Sequence, residues 1–570
     1  MTPDAATALP DLLADYVPQP GVADELFDTH GQMRPVWTSF IAQLAALTPE
    51  EVHRRFARGE QYLRDAGVFF RLYSGGPAQE REWPLSHVPV LISQDEWQVI
   101  CDGLTQRAEL LDRVMADLYG PGDLVRGGHL PAELVAQNPQ WLRPMVGVQP
   151  ASGHWLHHLA FEIGRSPDGS FLVLGDRVQA PSGSGFALEN RMATMRIFSD
   201  PFPRGHVHRL AGFFRAFREA MEDLAGPGRR SAILTPGPNN DTYYEHTYIA
   251  RYLGMNLLEG EDLIVRDGQA MARTVDGLQP LGLLWRRIDS EFADPLELNE
   301  SSQIGTPGLI EALRAGRLSL VNALGSGVVE ARAFMAFLPR ICETLMGEAL
   351  RLPNIATWWC GQPRECEHVL ANAPGMMIGE ALDPSLPFGV GANTALGRNF
   401  LGVTSGTRAR LEDWIASRGA RLVGQEAVTL STTPVWSEGR LVPRPMTIRV
   451  FATRTAQGWT FMPGGYARVG ASGDATALAM QAGGAVADVW VVAPEPVAPD
   501  TLVSTGSFSR AAPGILPTRA AENLYWLGRY VERTEGAIRL LRAWHLRLAE
   551  TEDAGDARLA AMAAYMKDLD

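Results

Sequence analysis

The sequence predicts a protein of mixed α/β and α+β class that ends in a helical segment. Its 570 residues correspond to several domains of ordinary size. Between residues 30 and 120 apolar side chains recur at intervals of three and four, which predicts helices. From His154 onward, short apolar runs separated by turn residues predict strands. An apolar content of 46% with 20% charged residues excludes general disorder.

Six segments are predicted along the chain from these changes of pattern. They are a mostly helical region (1–150), a part with a β-hairpin (151–230), an α/β domain (231–350), a lobe with a sheet (351–495), a Pro-rich linker (496–516) and terminal helices (517–570).

Two of these segments have clear internal signals. Ile233–Leu234, a Pro/Gly/Asn turn, Tyr244 to Leu253 and Leu257–Leu258 predict a β–loop–α–β unit. After Pro517, a stripe of apolar residues predicts a helix from Thr518 to about Glu550. One amphipathic helix does not bury its own stripe, so this helix packs on the main body, pairs with another chain, or begins a bundle.

Charge and composition restrict the function. A net charge of −14 disfavours a protein that coats nucleic acid. No apolar run approaches the length of a membrane span, and the N-terminus lacks the pattern of a secretory signal, so we expect a cytoplasmic protein without membrane partners. Of 51 basic residues only Lys567 is a lysine, so an anion site in the main body must use arginine or backbone N–H groups.

The stretch from His157 to Arg191 predicts a hairpin that carries two acids. Folding about Asp168–Gly169 places Glu162 within about one residue of Asp176 across the strands, and opposed side chains lie ~5 Å apart. Two carboxylates so close indicate a cation between them or a raised pKa, and with Gln179 they offer the oxygen ligands of Mg²⁺. A slip of one residue would instead place the acids on opposite faces as ordinary solvated groups.

Glycine and arginine clusters form further candidate sites. The loop from Pro181 to Gly185, with Ser182 and Gly183, is either a backbone cradle for phosphate or a plain turn. Arg286 and Arg287 end an apolar run, where they suit either a polar ligand or a surface network of ion pairs.

Three histidines raise a further hypothesis. His154, His157 and His158 lie close together in the sequence, which allows the hypothesis of a zinc hydrolase. At best two of them alternate on one strand, and no cysteine stands at zinc-finger spacing, so we favour core or surface positions for these histidines.

Several motifs, in order along roughly residues 30 to 495, resemble the circularly permuted ATP-grasp proteins of the second type, which are distantly similar to glutathionylspermidine synthase. They are Arg165 to Arg191, Leu234–Gly237, Arg286–Asp289, Asn322–Gly327, Thr357–Cys360, Gln425–Glu426 and Met462–Gly465. Leu516 to Leu541 resembles the first helices of the alpha-E domain that often accompanies such proteins.

The resemblance implies a circularly permuted ATP-grasp fold in which residues 231–350 form an α/β pre-ATP-grasp-like substrate domain. It implies a ligase that uses ATP and Mg²⁺ to join a small-molecule or peptide carboxylate to an amine through an acyl phosphate. The partners it suggests are alpha-E, transglutaminase-like and proteasome-like peptidase proteins. The implied sites are Mg²⁺ ligands at Glu162, Asp176 and Gln179, an adenine and ribose hinge at Gln425 and Glu426, phosphate contacts at Arg449, Arg468, Ser182 and Gly183, and a substrate carboxylate held by Arg286 and Arg287, with Arg449 also catalytic.

Two departures from the family pattern support an alternative. Gly379–Glu380 and Ala487 stand where relatives usually have a basic residue, and we expect both lost cations to lie near phosphate. Loss of a charge aimed at a transferring phosphoryl group costs on the order of 10²–10³ in rate. The alternative is therefore a weakened pseudoenzyme that serves as a binding or scaffolding partner.

Overall fold

A computed structural model of the chain describes residues 12–72, 79–200, 205–384, 399–401, 412–415, 417–427, 429–471, 484–498, 515–551 and 556–567. The α-helices named below are α1 (Pro35–Ala45), α2 (Pro49–Asp65), α3 (Gln94–Leu118), α4 (Asp123–Arg126), α5 (Ala132–Ala136), α6 (Ser184–Ile197), α7 (Ala211–Ala225), α8 (Tyr243–Leu253), α9 (Leu309–Arg314), α10 (Leu338–Met346), α11 (Pro363–Asn372), α12 (Thr518–Glu550) and α13 (Ala557–Lys567).

The strands fall into a hairpin and three sheets within the described residues. They are β1 (Phe69–Leu72), β2 (Gln79–Glu82), β3 (Leu85–Ser93), β4 (His158–Arg165), β5 (Phe171–Arg177), β6 (Arg230–Leu234), β7 (Asn256–Leu258), β8 (Leu263–Arg266), β9 (Gln269–Thr274), β10 (Gly277–Arg286), β11 (Ser319–Val321), β12 (Thr357–Trp359), β13 (Met376–Glu380), β14 (Asn399–Leu401), β15 (Leu422–Glu426), β16 (Thr432–Ser437), β17 (Arg440–Thr455), β18 (Gly458–Phe461), β19 (Gly464–Val469) and β20 (Ala485–Val492).

The largest sheet has the strand order β3-β20-β19-β17-β4-β5, and β16 and β18 also pair with β17. Strands β3 and β20 are parallel, and the other pairs are antiparallel. The helices expected between residues 30 and 120 are present, but residues 85–93 form a strand that the helical interpretation missed. Most of β3 is buried, so its sequence is a nearly continuous apolar run without the alternation of a half-exposed strand.

The α/β part contains the β–loop–α–β unit that the sequence predicted: β6 leads through α8 to β7, and the two strands are parallel. Strand β10 runs parallel to β6 and to β11, while its first residues pair antiparallel with β9. The smaller sheet has the order β12-β15-β13-β14, and α11 packs on it around Val369.

The large sheet is covered on both faces. Side chains of α3 pack with one face in an extended apolar cluster, here called the core face, which includes Phe161, Ile448 and Ala487. Helices α6 and α7 cover the opposite face, where their Phe186 and Phe214 join a second cluster. Charged side chains on the second face are therefore enclosed between the sheet and these helices.

Helix α12 confirms the predicted helix from Thr518 to Glu550, and none of its residues is buried. Arg519 attaches its first turn to the α/β part through ion pairs with Asp262 (2.9 Å) and Glu259 (3.0 Å). Among the described residues, no helix combines the length and the apolar character needed to cross a membrane.

Candidate functional site

The hairpin predicted about Asp168–Gly169 is formed by β4 and β5. Its turn is stabilised by the Ser170 amide, which donates to Asp168 Oδ1 (2.9 Å), and Gly169 has a φ of +89°. A register irregularity follows Glu162, so Glu162 lies opposite Gly175 and Phe161 lies opposite Asp176. Because directly opposed residues share a face and adjacent residues do not, Glu162 and Asp176 point to opposite faces. The prediction that these acids lie together on one face is wrong.

Asp176 lies on the core face and binds an arginine from α3. Arg107 donates from Nε (2.6 Å) and Nη2 (2.7 Å) to the two carboxylate oxygens, and each side chain is 1% exposed. Arg107 also donates to Asn354 Oδ1, which ties α3 to the segment before β12. Asp176 therefore belongs to a buried bidentate ion pair that joins distant parts of the chain.

Glu162 lies on the second face, fully buried, and contacts two arginines. Arg449 Nε donates to Glu162 Oε1 (2.6 Å), and Arg468 Nη2 lies 3.6 Å from the same oxygen. Burial raises the pKa of Glu162, but Arg449, Arg468 and Arg177 outweigh it, so this pKa falls below its usual value. The other oxygen, Oε2, has no hydrogen-bond partner among the described residues.

Arg177 is a member of the site that the sequence interpretation missed. It follows Gly175 by two residues on β5 and therefore shares the face of Glu162. Its Nη1 donates to backbone carbonyls at Asp176 and Pro384, and Glu330 lies 3.9 Å away. Burial lowers the pKa of Arg177; Glu330 raises it, and the neighbouring Arg449 and Arg468 lower it further.

Arg332, also missed, completes what we call the arginine cluster: Arg177, Arg332, Arg449 and Arg468. Arg332 is buried, and its pKa is lowered to about 10, first by burial, while Asp383 raises it and Arg177 lowers it. Arg177 is thus close enough to interact electrostatically with each of the other three arginines. In a chain of net charge −14, such a concentration of guanidinium groups suits an anion.

The Gly-rich loop after β5 is held by side chains of the chain itself. Ser182 O accepts a hydrogen bond from Arg449 Nη1 (2.9 Å). The amides of Gly183 and Gly185 donate to Glu245 Oε1 at 2.7 and 2.9 Å, which places a carboxylate at the start of α6. A side chain at residue 183 would come within 2.5 Å of Tyr466, so only glycine fits there. The Gly183 amide expected to cradle phosphate is therefore already bonded.

Arg286 and Arg287 donate hydrogen bonds to the same loop and to the residues that lead into it. Arg286 is fully buried and donates to the carbonyls of Ile288 and Gln179; its pKa is lowered to about 10 by burial. Arg287 donates to Pro181 O (2.7 Å) and lies 3.7 Å from Glu245. These donors position the loop, and Arg286 has no exposed surface with which to hold a substrate carboxylate as the sequence interpretation expected.

A Mg²⁺ ion does not fit the three residues expected to bind it. Asp176 points into the core, and Gln179 is tied through its Nε2 to Asp289 (3.3 Å) and through its Oε1 to the amide of Ser290 (3.2 Å). Glu162 already faces arginines. Within the ranges described above, no three His, Cys, Asp or Glu side chains form a group suited to a metal ion.

The expected adenine hinge lies at the end of β15. Gln425 is buried and donates to Thr357 Oγ1 (3.1 Å), whereas its Oε1 has no partner among the described residues. Glu426 is exposed, and its amide donates to Ala356 O (3.0 Å). The Gln425 oxygen is thus a buried acceptor that a ligand amine would satisfy.

The two positions with missing cations differ in their surroundings. Gly379 lies opposite Val423 and shares the face of Gln425, whereas Glu380 turns away and pairs with Arg418 (3.7 Å) and Arg421. Ala487 is 1% exposed and lies on the core face, because its neighbour Asp488 takes the second face opposite Tyr466. A cation at residue 487 would therefore enter the apolar core, on the opposite face of the sheet from Glu162 and Arg449.

The histidines do not form a zinc site. His158 is buried among aromatic rings, with ring centroids 4.8 Å from Phe217 and 5.4 Å from Trp285. His157 contacts Ser152 Oγ (2.9 Å), and His154 contacts Asp112 (2.8 Å). Their nitrogens are thus directed to separate environments.

Comparison with known proteins identifies the class. The model for circularly permuted ATP-grasp proteins, type 2, matches residues 89–470, and the model for Alpha-E, a predicted alpha-helical domain with a conserved ER motif, matches residues 516–569. The chain belongs to the circularly permuted ATP-grasp family.

Similar proteins occur in Mycobacterium tuberculosis and Synechocystis. A Mycobacterium tuberculosis protein is 31% identical over 555 residues, 93% of this chain and 60% of the relative, so the chain spans about three fifths of that relative's length. A Synechocystis protein is 30% identical over 475 residues, 82% of this chain and 96% of the relative. The apo structure of a glutathione synthetase-like effector from Globodera pallida shares the fold, with a TM-score of 0.50, 12% identity, and coverage of 78% of this chain and 98% of that one.

Proposed function

We propose that the chain binds ATP and uses it to join a carboxylate to an amine. The observation that carries the proposal is the arginine cluster on the second face of the large sheet, beside the hairpin. Arg177 and Arg468 are only partly buried, and Arg449 is fixed behind them by Glu162. Guanidinium groups bind phosphate oxygens in a planar, bidentate manner, and they stabilise charge on a transferring phosphoryl group.

The proposed reaction has two steps. An oxygen of the substrate carboxylate attacks the γ-phosphorus of ATP, the bond to the bridging oxygen breaks, and ADP leaves with that electron pair. The amine then attacks the acyl carbon, phosphate departs, and the amine loses a proton. The arginine cluster would balance the charge on the phosphoryl group, and the unpartnered Gln425 Oε1 would accept from the adenine amino group.

A second function, nucleotide binding without turnover, is favoured by a separate observation. The acids and the amide expected to hold Mg²⁺ do not converge, and a cation at residue 487 would enter the apolar core face. In this case the chain is a binding or scaffolding partner in a peptide or protein modification system. Alpha-E, transglutaminase-like and proteasome-like peptidase proteins are the proposed partners, in the cytoplasm.

The two functions are separated by measuring binding and turnover on the same full-length chain. Calorimetric titration with ATP tests binding, and ADP release with a panel of amines, amino acids and peptides tests turnover. Release that depends on both a carboxylate and an amine supports the ligase; binding without release supports the second function. Absence of ATP binding contradicts both.

A matched pair of variants locates the site. Arg449→Met removes a charge from the arginine cluster, whereas Arg314→Met removes an equal charge from an exposed ion pair with Glu297. We expect only the first to weaken ATP binding, by about tenfold or more, because it removes one of the positive charges that face the polyphosphate. Melting curves establish that both variants fold. Equal affinities in the two variants would place the nucleotide elsewhere.

A further inference from the structure

We propose that this site binds the polyphosphate of its nucleotide without a divalent cation, with Arg177 and Arg468 supplying the positive charge that a metal ion would otherwise bring. The inference rests on the nucleotide binding proposed above, but not on turnover. It concerns the second face of the large sheet around Glu162, where the hairpin presents arginine in place of a second acid.

The register of the hairpin determines which side chains meet Glu162. Gly175 lies directly opposite Glu162 and carries no side chain. The next residue of β5 on that face is Arg177, two positions further on. The hairpin therefore has a single carboxylate on this face and places a guanidinium beside it. Asp176, the other acid of the hairpin, is occupied by Arg107 on the opposite side.

The charge around Glu162 disfavours a metal ion at its unpartnered oxygen. Oε1 is shared by Arg449 and Arg468, and Arg177 is close enough to lower the pKa of the carboxyl group as well. A dication at Oε2 would meet three guanidinium groups, whose charge is balanced only in part by Glu162 and by Glu330, which lies 3.9 Å from Arg177. Like charges at such short range repel strongly in a site from which water is largely excluded.

The same arginines have donors left for an anion. The hydrogen bonds that Arg177 makes to described residues all start from its Nη1. Its Nε and Nη2 make none to those residues, so they can donate to an anion. Arg468 contacts Glu162 only at 3.6 Å, and its side chain is 24% exposed. A guanidinium carries five N–H donors, so these two residues together can bind several phosphate oxygens. Arg449, whose donors are taken by Glu162 and Ser182, contributes charge and holds the carboxylate in place.

The test compares ATP binding to the full chain in EDTA with binding in excess MgCl₂, by calorimetric titration. We expect the Kd in EDTA to be less than fivefold weaker than in Mg²⁺, or tighter, and inorganic triphosphate to compete in EDTA. A Kd at least fivefold weaker in EDTA overturns the inference and leaves the proposed nucleotide binding intact. Absence of ATP binding in both buffers overturns the proposed function, so the two failures are distinct.

Variants assign the effect to Arg177. Arg177→Met should weaken ATP binding in EDTA at least tenfold. Arg177→Asp should weaken it further and make the remaining binding depend on Mg²⁺, because it places a second carboxylate on the face of Glu162. Arg314→Met is the control for loss of one positive charge, and melting curves verify folding. If Arg177→Met binds ATP in EDTA as tightly as the unaltered chain, the assignment of Arg177 is overturned.

Discussion

Glu162 and Asp176 stand on neighbouring strands of one hairpin, and each carboxylate binds an arginine on a different side of the sheet. Glu162 contacts Arg449 from within the sheet, whereas Asp176 contacts Arg107 from α3. The register irregularity after Glu162 separates them. The sequence predicted one metal site from these two acids, but they have separate roles. Asp176 joins α3 to the sheet, and Glu162 binds the arginine cluster.

Asp176→Asn should be a stability variant. It leaves the Arg107 charge buried without its carboxylate, and breaking a buried pair on one side costs about 3–5 kcal/mol. We expect a lower melting temperature and an unchanged ATP Kd for the folded protein, by calorimetry well below the melting temperature. Asp102→Asn, an exposed acid on the same helix as Arg107, is the control and should melt normally. Normal melting with lost ATP binding would instead point to a ligand role for Asp176.

Glu162→Gln should tighten the binding of ATP in EDTA. The amide oxygen still accepts from Arg449, but the negative charge facing the arginine cluster is gone, and we expect a gain of about threefold or more. The measurement is the Kd of ATP and of inorganic triphosphate for the two proteins. A metal ligand would behave in the opposite way, with binding lost in Mg²⁺.

The stability of the chain should fall as the pH drops from about 7 to 4, partly because of His158. Burial, and then Arg287, lower the pKa of His158 to about 3. Between that value and the ordinary pKa of about 6.5, the unfolded chain binds a proton that the folded chain does not, so stability rises with pH. At pH 5 the loss is about 2 kcal/mol for this residue.

His158→Phe should reduce this acid sensitivity. The ring stays among Phe217 and Trp285, and both imidazole nitrogens lack partners among the described residues, so no hydrogen bond in this region is lost. Melting temperatures of the two proteins at pH 7 and pH 5 provide the measurement. An unchanged pH dependence would mean that His158 is not buried in its neutral form.

Ala487→Lys should destabilise the chain and leave ADP release no faster. The new ammonium group would enter the apolar core face without a partner, at a cost of about 3–5 kcal/mol. Ala487→Met, which adds similar volume without charge, separates overpacking from charge burial. Restored or increased ADP release in the lysine variant would show that residue 487 does face the nucleotide.

Patterns of residues that are close together in the sequence predicted several elements correctly. The turn at Asp168–Gly169, the β–loop–α–β unit before Leu258 and the helix after Pro517 each depend on nearby residues, and each is present. Strand β3 was missed because a strand buried on both faces lacks the alternation by which strands are recognised.

The site was harder to predict, since its residues meet through register and long-range packing. A one-residue irregularity decides which side chain faces Glu162, and no local pattern encodes it. Arg107 reaches Asp176 across 69 positions of the chain. Arg177 could have been found by counting alternate residues from Gly175 once that register was known. Arg332 comes from a different segment, and only the folded chain brings it near.

The arginine cluster also determines how the site should respond to alkali. Guanidinium groups remain protonated far above neutral pH, and even Arg332, which is unusually acidic for an arginine, has a pKa of about 10. A lysine buried in the same place would lose its charge at a lower pH, because burial would lower its ordinary pKa of about 10.4 in the same direction. The positive charge of the arginine cluster is therefore nearly constant across the physiological pH range. The terminal phosphate of the ligand titrates near pH 6, and its protonation, rather than that of the protein, should set the lowest pH at which the ligand binds.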